Sequence, residues 1–227
     1  MGNKEKFIDS EANEWFRRNH QPPEQRQPDE DMILLSAWLQ PFKNEIDNII
    51  EIGCGDGRRL VQMTESLNAN GYGVEPSVEA VDYIDNNLPT ISAKVGFGDN
   101  IPFDKSFDLV HLGFFIYLVD RENFLRCVSE ADRLVKPGGF LSITDFETPY
   151  PYSNDYSHRA GIYSHKHNNT DVFVASGLYS VVNKFHFSHK DFFFDKDINE
   201  RISLTLLYKE MNIFRGQAIQ NLSMPSI

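Results

Sequence analysis

The chain has 227 residues, 41% of them hydrophobic and 24% charged, with a formal net charge of −11. That length suits one globular domain with an appendage, and 18 Phe, 9 Tyr and 2 Trp are too much apolar mass for a disordered chain. The acidic balance argues against a phosphate-binding surface for nucleic acid. The apolar run Leu112 to Val119 is far too short to span a membrane, and Cys54 and Cys127 make neither a disulfide framework nor a zinc site. The first residues hold no apolar stretch of the secretory kind, so a reducing cytoplasm is the expected location.

In chain order, a short helix is predicted around Glu11 to Arg18, followed by a Pro-rich linker, His20 to Asp31. A helix starts at Asp29 or Glu30 and ends near Pro41. Strands and helices then alternate. Strands are predicted at Asn48 to Ile52, Gly71 to Glu75, Ala93 to Phe97, Phe107 to Leu112 and Phe140 to Phe146. The helices between them are Arg58 to Asn68, Ser77 to Leu88, and Asp120 to Val135 with Asp120 as its N-cap. Lys136 to Gly139 (KPGG) is a turn. This alternation predicts a parallel sheet covered on both faces. Glu147 to Asn169 shows neither period and reads as a loop rich in Tyr and His. Leu178 to Ser188 and Arg201 to Lys209 are strands too close in sequence for a crossover, so they should pair antiparallel.

The fold class is therefore α/β: a Rossmann-like, mostly parallel sheet with helices on both faces, a C-terminal antiparallel pair and an N-terminal helical cap. Residues 1–46 would form the arm and cap, 47–146 the core, and 147–227 an acceptor-side loop with the last strands.

The sharpest local signal is EIGCGDG (Glu51 to Gly57), which ends a strand and opens a helix. Its glycines allow a tight turn and close approach of a ligand to the backbone. The spacing departs from GxGxxG because Arg58 stands at the last position, and the Lys of a phosphate-binding P-loop is absent. Asp56 inside the turn suits a ligand with an ammonium group. Glu75 ends the second strand, where nucleotide-binding α/β folds place an acid on the ribose hydroxyls. Asp99 follows the third strand, over the next crevice.

EIGCGDG, GVEPS, GDNIPFDKSFDLV and LVKPGGFLSITDF, in this order and spacing, resemble the class I S-adenosylmethionine-dependent methyltransferases. The resemblance covers about Asn48 to Phe146. It implies S-adenosylmethionine as donor and S-adenosylhomocysteine as product; no metal is expected, because His165 and His167 have a spacing zinc can use but no third and fourth ligands cluster nearby. By resemblance Gly53, Gly55 and Gly57 line the methionine part, while Glu51 and Asp56 serve its ammonium. Glu75, with Pro76 beside it, takes the ribose. Asp99 takes the adenine amino group, and Asn100 and Ile101 flank the ring.

Ligands of open α/β sheets lie beyond the carboxyl ends of the strands. The acceptor is therefore expected near Tyr117, Asp145 and the His/Tyr-rich loop. A histidine of that loop, His158 or His165, is the expected base, because imidazole accepts a proton near neutral pH. Tyr117 and Asp145 would orient the acceptor. Trp15, Phe16, Arg17 and Arg18 form an arm that either lids the donor or packs outside the core. His111 reads as a core histidine.

The arm together with YLVDRENF and DFETPYPYS resembles methyltransferases of bacterial surface-glycan gene clusters. That makes a sugar or sugar phosphate the first expected acceptor, with ethanolamine phosphate or a similar phospho-amine second. The partner is then a small polar metabolite, with neither nucleic acid nor membrane involved. A catalytically silent donor-binding module is the alternative of another class. The sequence carries no signature of oligomeric state.

Overall fold

The computed structural model describes residues 2–22, 25 and 27–211. The linker expected over His20 to Asp31 lies partly outside them, at positions 23, 24 and 26. Among the described residues the strands are β1 (Asn48–Ile52), β2 (Asn70–Glu75), β3 (Ile91–Val95), β4 (Phe107–Gly113), β5 (Val135–Phe146), β6 (Tyr152–Asp155), β7 (Tyr163–Lys166), β8 (Tyr179–Ser188) and β9 (Arg201–Lys209). Seven form one sheet in the order β3-β2-β1-β4-β5-β9-β8. Its first five are parallel, and β9 enters antiparallel between β5 and β8. This is the predicted fold class. The strand order reverses beside β1, so the crevice above β1 and β4 is the place where a ligand can enter.

Helices cover both faces, so strand residues of either parity are apolar. Ile49, Ile50 and Ile52 of β1 are all 2% exposed or less. On one face α3 (Glu30–Leu39) and α4 (Arg58–Leu67) pack Met32, Leu35, Leu39, Leu60 and Met63 against the sheet. On the other face α6 (Phe124–Leu134) packs Ala131 and Leu134 beside Phe107 and Leu141. The helix α5 (Val78–Asn87) follows β2, and the Ser77 hydroxyl caps it by accepting from the Ala80 N–H at 3.1 Å.

Several predicted elements shift. The third strand is Ile91–Val95 rather than Ala93 to Phe97, because Ile91 is its buried anchor. Asn123, not Asp120, precedes α6. Asp120 instead accepts the backbone N–H groups of Asn3 and Lys4 at 2.8 and 3.0 Å, holding the start of the N-terminal helix α1 (Asn3–Lys6). The KPGG segment lies inside β5, where pairing jumps from Phe107–Val135 to Leu109–Phe140 and leaves the turn bulged out.

The largest departure is Glu147 to Asn169. It contains the antiparallel hairpin β6–β7, with Tyr152 opposite Lys166 and Asp155 opposite Tyr163. Its buried face reads Ile162, Ser164, Lys166, so only one of three inward residues is apolar. An alternation rule built on hydrophobicity misses such a strand.

The N-terminal arm runs from α1 through a wider helical turn (Phe7–Glu11) into α2 (Ala12–Asn19). It is tied at both ends. Asn3 donates to the carbonyls of Leu118 and Tyr163 at 2.9 and 2.8 Å and accepts from the Tyr163 N–H at 3.0 Å. Arg159 of the hairpin side reaches Ser10 and Asp9. At the other end Arg17 pairs with Glu79 of α5. The arm thus bridges the sheet's carboxyl edge from hairpin to α5. Among the described residues no helix is long and apolar enough to cross a membrane.

Candidate active site

The glycine turn is held by β2. The amides of Gly53 and Cys54 both donate to the Val74 carbonyl, at 2.8 and 3.2 Å. Gly53, Gly55 and Gly57 have φ of +77°, +53° and +77°, which only glycine adopts cheaply. The three do different things. Gly53 and Gly55 line a cavity of about 770 Å³. A Cβ on Gly55 would lie 3.3 Å from the Trp15 ring, so the missing side chain lets the arm close over the turn. Gly57 does not line the cavity. A Cβ there would meet Leu88 at 2.9 Å, so its predicted ligand role gives way to a packing role against α5.

Two acids form the floor. Glu75 is buried, and its carboxylate accepts the N–H groups of Gly55 and Ser77 at 2.9 and 3.0 Å. Burial raises it to about 7 against those two hydrogen bonds. Glu51 is buried too, and its Oε2 has no hydrogen-bond partner. Burial raises it to about 8, opposed by Arg59, whose Nε lies 3.9 Å away. A Cβ on Gly113 would fall 2.7 Å from Glu51 Oε1, so Gly113 leaves this acid its room. Arg59 pairs with Asp31 of α3. His111 sits beneath: its Nδ1 bonds the Ser142 hydroxyl at 2.7 Å, as expected of a core histidine, and burial lowers its pKa well below the ordinary value.

The arm engages the other two predicted acids. Asp56 meets His20 Nδ1 at 3.0 Å. Asp99 accepts from Lys4 Nζ with both oxygens, at 2.8 and 2.6 Å. Asp99 lines an adjoining pocket of about 100 Å³ together with Val74, Pro76, Phe97, Gly98 and Leu118. Asn100 and Ile101 line neither space. Ile101 is 5% exposed and packs into the core, and its N–H donates to Glu130 at 2.9 Å. Phe97 and Gly98, which precede the chain's turn at Asn100, line the pocket in their place.

The large cavity continues from the glycine turn to the hairpin. Tyr117 and His158 line it. Burial drives the Tyr117 pKa upward, keeping its hydroxyl protonated. His158 is exposed at the rim, its ring 5.2 Å from that of Tyr156. Asp145 and His165 do not line the cavity. Asp145 is 2% exposed and accepts the N–H groups of Phe146 and Tyr117 at 2.7 and 3.2 Å, so it fixes the backbone after β4 rather than meeting a ligand. His165 faces away because β7 alternates: Ser164 and Lys166 point inward, and His165 Nδ1 bonds the Ser153 hydroxyl at 2.6 Å on the outer side. Lys166, His20 and Arg59 are the site residues the sequence reading passed over. Among the described residues no three His, Cys, Asp or Glu side chains are gathered as metal ligands.

This geometry fits S-adenosylmethionine. A bare buried carboxylate oxygen on Glu51 matches an ammonium group, and the acid at the end of β2 matches ribose hydroxyls. A narrow, largely apolar pocket lies beyond. Residues 49–139 match the family described as methyltransferase domain. An uncharacterized methyltransferase of Schizosaccharomyces pombe is 31% identical over 112 residues, 48% of this chain and 43% of its own. The tRNA N(3)-cytidine methyltransferase METTL2 of Gallus gallus is 30% identical over 110 residues, 43% of this chain and 30% of its own. The chain thus spans less than half the length of these curated relatives.

Among solved structures, the Burkholderia thailandensis 1,6-didemethyltoxoflavin-N1-methyltransferase has a TM-score of 0.61 at 13% identity, covering 80% of this chain and 79% of that one. The CcbJ methyltransferase of Streptomyces caelestis has a TM-score of 0.60 at 13% identity, covering 90% and 98%. The similarity to methyltransferases thus centres on residues 49–139. The fold around them is the one these solved methyltransferases share.

Proposed function

We propose that the protein is an S-adenosylmethionine-dependent methyltransferase that methylates an oxygen or nitrogen of a small polar metabolite. The observation that carries this reading is the continuity of the cavity, from Glu51 and the glycine turn to Tyr117 and the hairpin, under one roof made by the arm. Bound S-adenosylmethionine supplies a methyl group made electrophilic by its sulfonium. The chain's own residues do the rest. Ionised Glu51 holds the ammonium, and Glu75, already positioned by two amides, takes the ribose. Trp15 and α2 exclude water, so that the acceptor competes with no solvent nucleophile. The Tyr117 hydroxyl orients the acceptor, and His158 at the rim takes its proton where it arrives protonated.

A sugar or sugar phosphate, as in a surface-polysaccharide pathway, is the acceptor this reading favours. Support comes from the polar residues of the far end, Asn154, Ser157, Ser164 and Ser188. Asp155, an acid on that same lining, favours a phospho-amine as the second reading. A cytoplasmic location belongs to the same proposal.

The test is incubation of the purified protein with methyl-labelled donor and a fractionated metabolite extract. A labelled small molecule is the expected outcome. Tight binding of S-adenosylhomocysteine without any labelled product would instead support a silent donor-binding module.

A further inference from the structure

The lysine and arginine side chains that line the large cavity are Arg18, Arg58, Arg59 and Lys166. Three have carboxylate partners: Arg18 pairs with Glu11, Arg58 with Asp29 at 3.2 Å, and Arg59 with Asp31. Lys166 differs. It is 7% exposed, and among the described residues no carboxylate lies within ion-pair distance of it. Its Nζ donates to the Asn199 carbonyl at 2.6 Å, which uses one of three donors. It also lies 3.8 Å from the centre of the Phe146 ring. That ring is one wall of an aromatic corner completed by Tyr117, Phe114 and His189, at centroid distances of 5.3, 6.2 and 5.6 Å. Burial lowers the Lys166 pKa, against the fields of the more distant Glu200, Asp197 and Asp145.

A buried ammonium without a counterion is costly unless something supplies the opposite charge. A carbonyl and a ring face only partly do so. We propose that the acceptor supplies it: the acceptor carries an anionic group, phosphate or carboxylate, that docks on Lys166 while the acceptor's ring lies in the Phe146 corner. This rests on the methyltransferase reading and narrows its acceptor class to anions. Lys166 is then the residue that sets specificity, and it takes no part in the methyl transfer itself. The fold delivers it by parity: β7 turns residues 164 and 166 inward, and Tyr152 opposite Lys166 fixes the register.

The test is calorimetric titration of the protein with S-adenosylhomocysteine first, then of the loaded protein with glucose 6-phosphate, glucuronate and glucose. The first titration checks the methyltransferase reading separately, since failure to bind S-adenosylhomocysteine strikes that reading alone. The expected result is that at least one charged sugar binds about tenfold or more tighter than glucose, as a charge-assisted hydrogen bond allows. The phosphate and carboxylate arms distinguish the two sources of charge. Lys166→Met should bring the charged sugars to the level of glucose, and Lys166→Arg should retain a preference for charge. Unchanged S-adenosylhomocysteine affinity in both variants certifies the fold. If the loaded protein treats the three sugars alike, including binding none, or if Lys166→Met keeps the preference, the assignment is overturned.

Discussion

The two ends of the cavity are built on different principles. The proposed donor end comes from short contiguous segments at the tips of parallel strands, and its polar atoms are held by backbone amides of neighbouring strand tips. Glu75, Gly55 and Ser77 are an example. The proposed acceptor end is assembled from the arm and, more than a hundred residues later in sequence, the β6–β7 hairpin and the end of β8. They are joined by side-chain contacts such as Asn3 to Tyr163 and Arg159 to Asp9. The donor end therefore tolerates little change, whereas the acceptor end can be altered residue by residue without disturbing the sheet.

The sharpest way to break this contrast is Glu75→Ala. It removes the carboxylate proposed to hold the ribose and leaves two buried amides unsatisfied, at about 1–3 kcal/mol each. Affinity for S-adenosylhomocysteine should fall by about 100-fold, with a lower melting temperature. Calorimetry and a thermal melt check both, and unchanged affinity would remove Glu75 from the site.

The next effect is on pH. Burial sets Glu51 at about 8, above its ordinary value, so its carboxyl is neutral below that pH. A bound ammonium requires the ionised form, and the proton competes with it. Affinity for S-adenosylhomocysteine should therefore fall as pH drops below 8, approaching about tenfold per unit. Binding at pH 7 should release a proton, read as a dependence of the apparent enthalpy on buffer. A flat profile from 6 to 8 would separate Glu51 from the ammonium.

Within the donor turn, Gly57→Ala tests packing against ligand contact. The left-handed conformation alone costs a residue with a side chain about 1–2 kcal/mol, and Leu88 adds a close contact. Stability in urea should drop by that order. Affinity of the folded protein for S-adenosylhomocysteine should stay within about twofold, well under 1 kcal/mol.

On the acceptor side the contrast predicts a split between two histidines that look alike in sequence. His158→Ala should lower turnover by about 100-fold, the low end of what a positioned general base contributes. His165→Ala, facing outward, should leave turnover unchanged. Equal effects of the two would mean that the hairpin register differs from the one described. The smallest expected effect is that of chelation: with no gathered ligand set among the described residues, turnover should survive EDTA.

The glycine turn, the acid after β2 and the alternation of strands and helices were legible in the sequence because each is local. A left-handed turn needs glycine wherever it occurs, and a strand buried on both faces must be nearly all apolar, as NIIEI is. Even there, locality misled at Gly57, Asn100 and Ile101. Lining a cavity depends on what packs behind a residue, and that was α5 for Gly57 and the core beside α6 for Ile101.

The acceptor end was legible in composition only. The tyrosines and histidines of the loop were noted, yet which of them face inward is decided by the parity of a strand whose inward residues are mostly polar. Ser164 and Lys166 are stabilised there by tertiary partners such as the Asn154 and Asn199 carbonyls, not by their own hydrophobicity. Asp145 and Asp120 show the same limit: a carboxylate at a strand or helix end can meet a ligand or an amide, and only the folded chain brings the amide. The sequence by itself determined the sheet, the turn and the acids on the cavity floor, through local backbone and burial requirements. The roof over them, and the burial of Lys166 at the far end, were decided by long-range packing that no local pattern encodes.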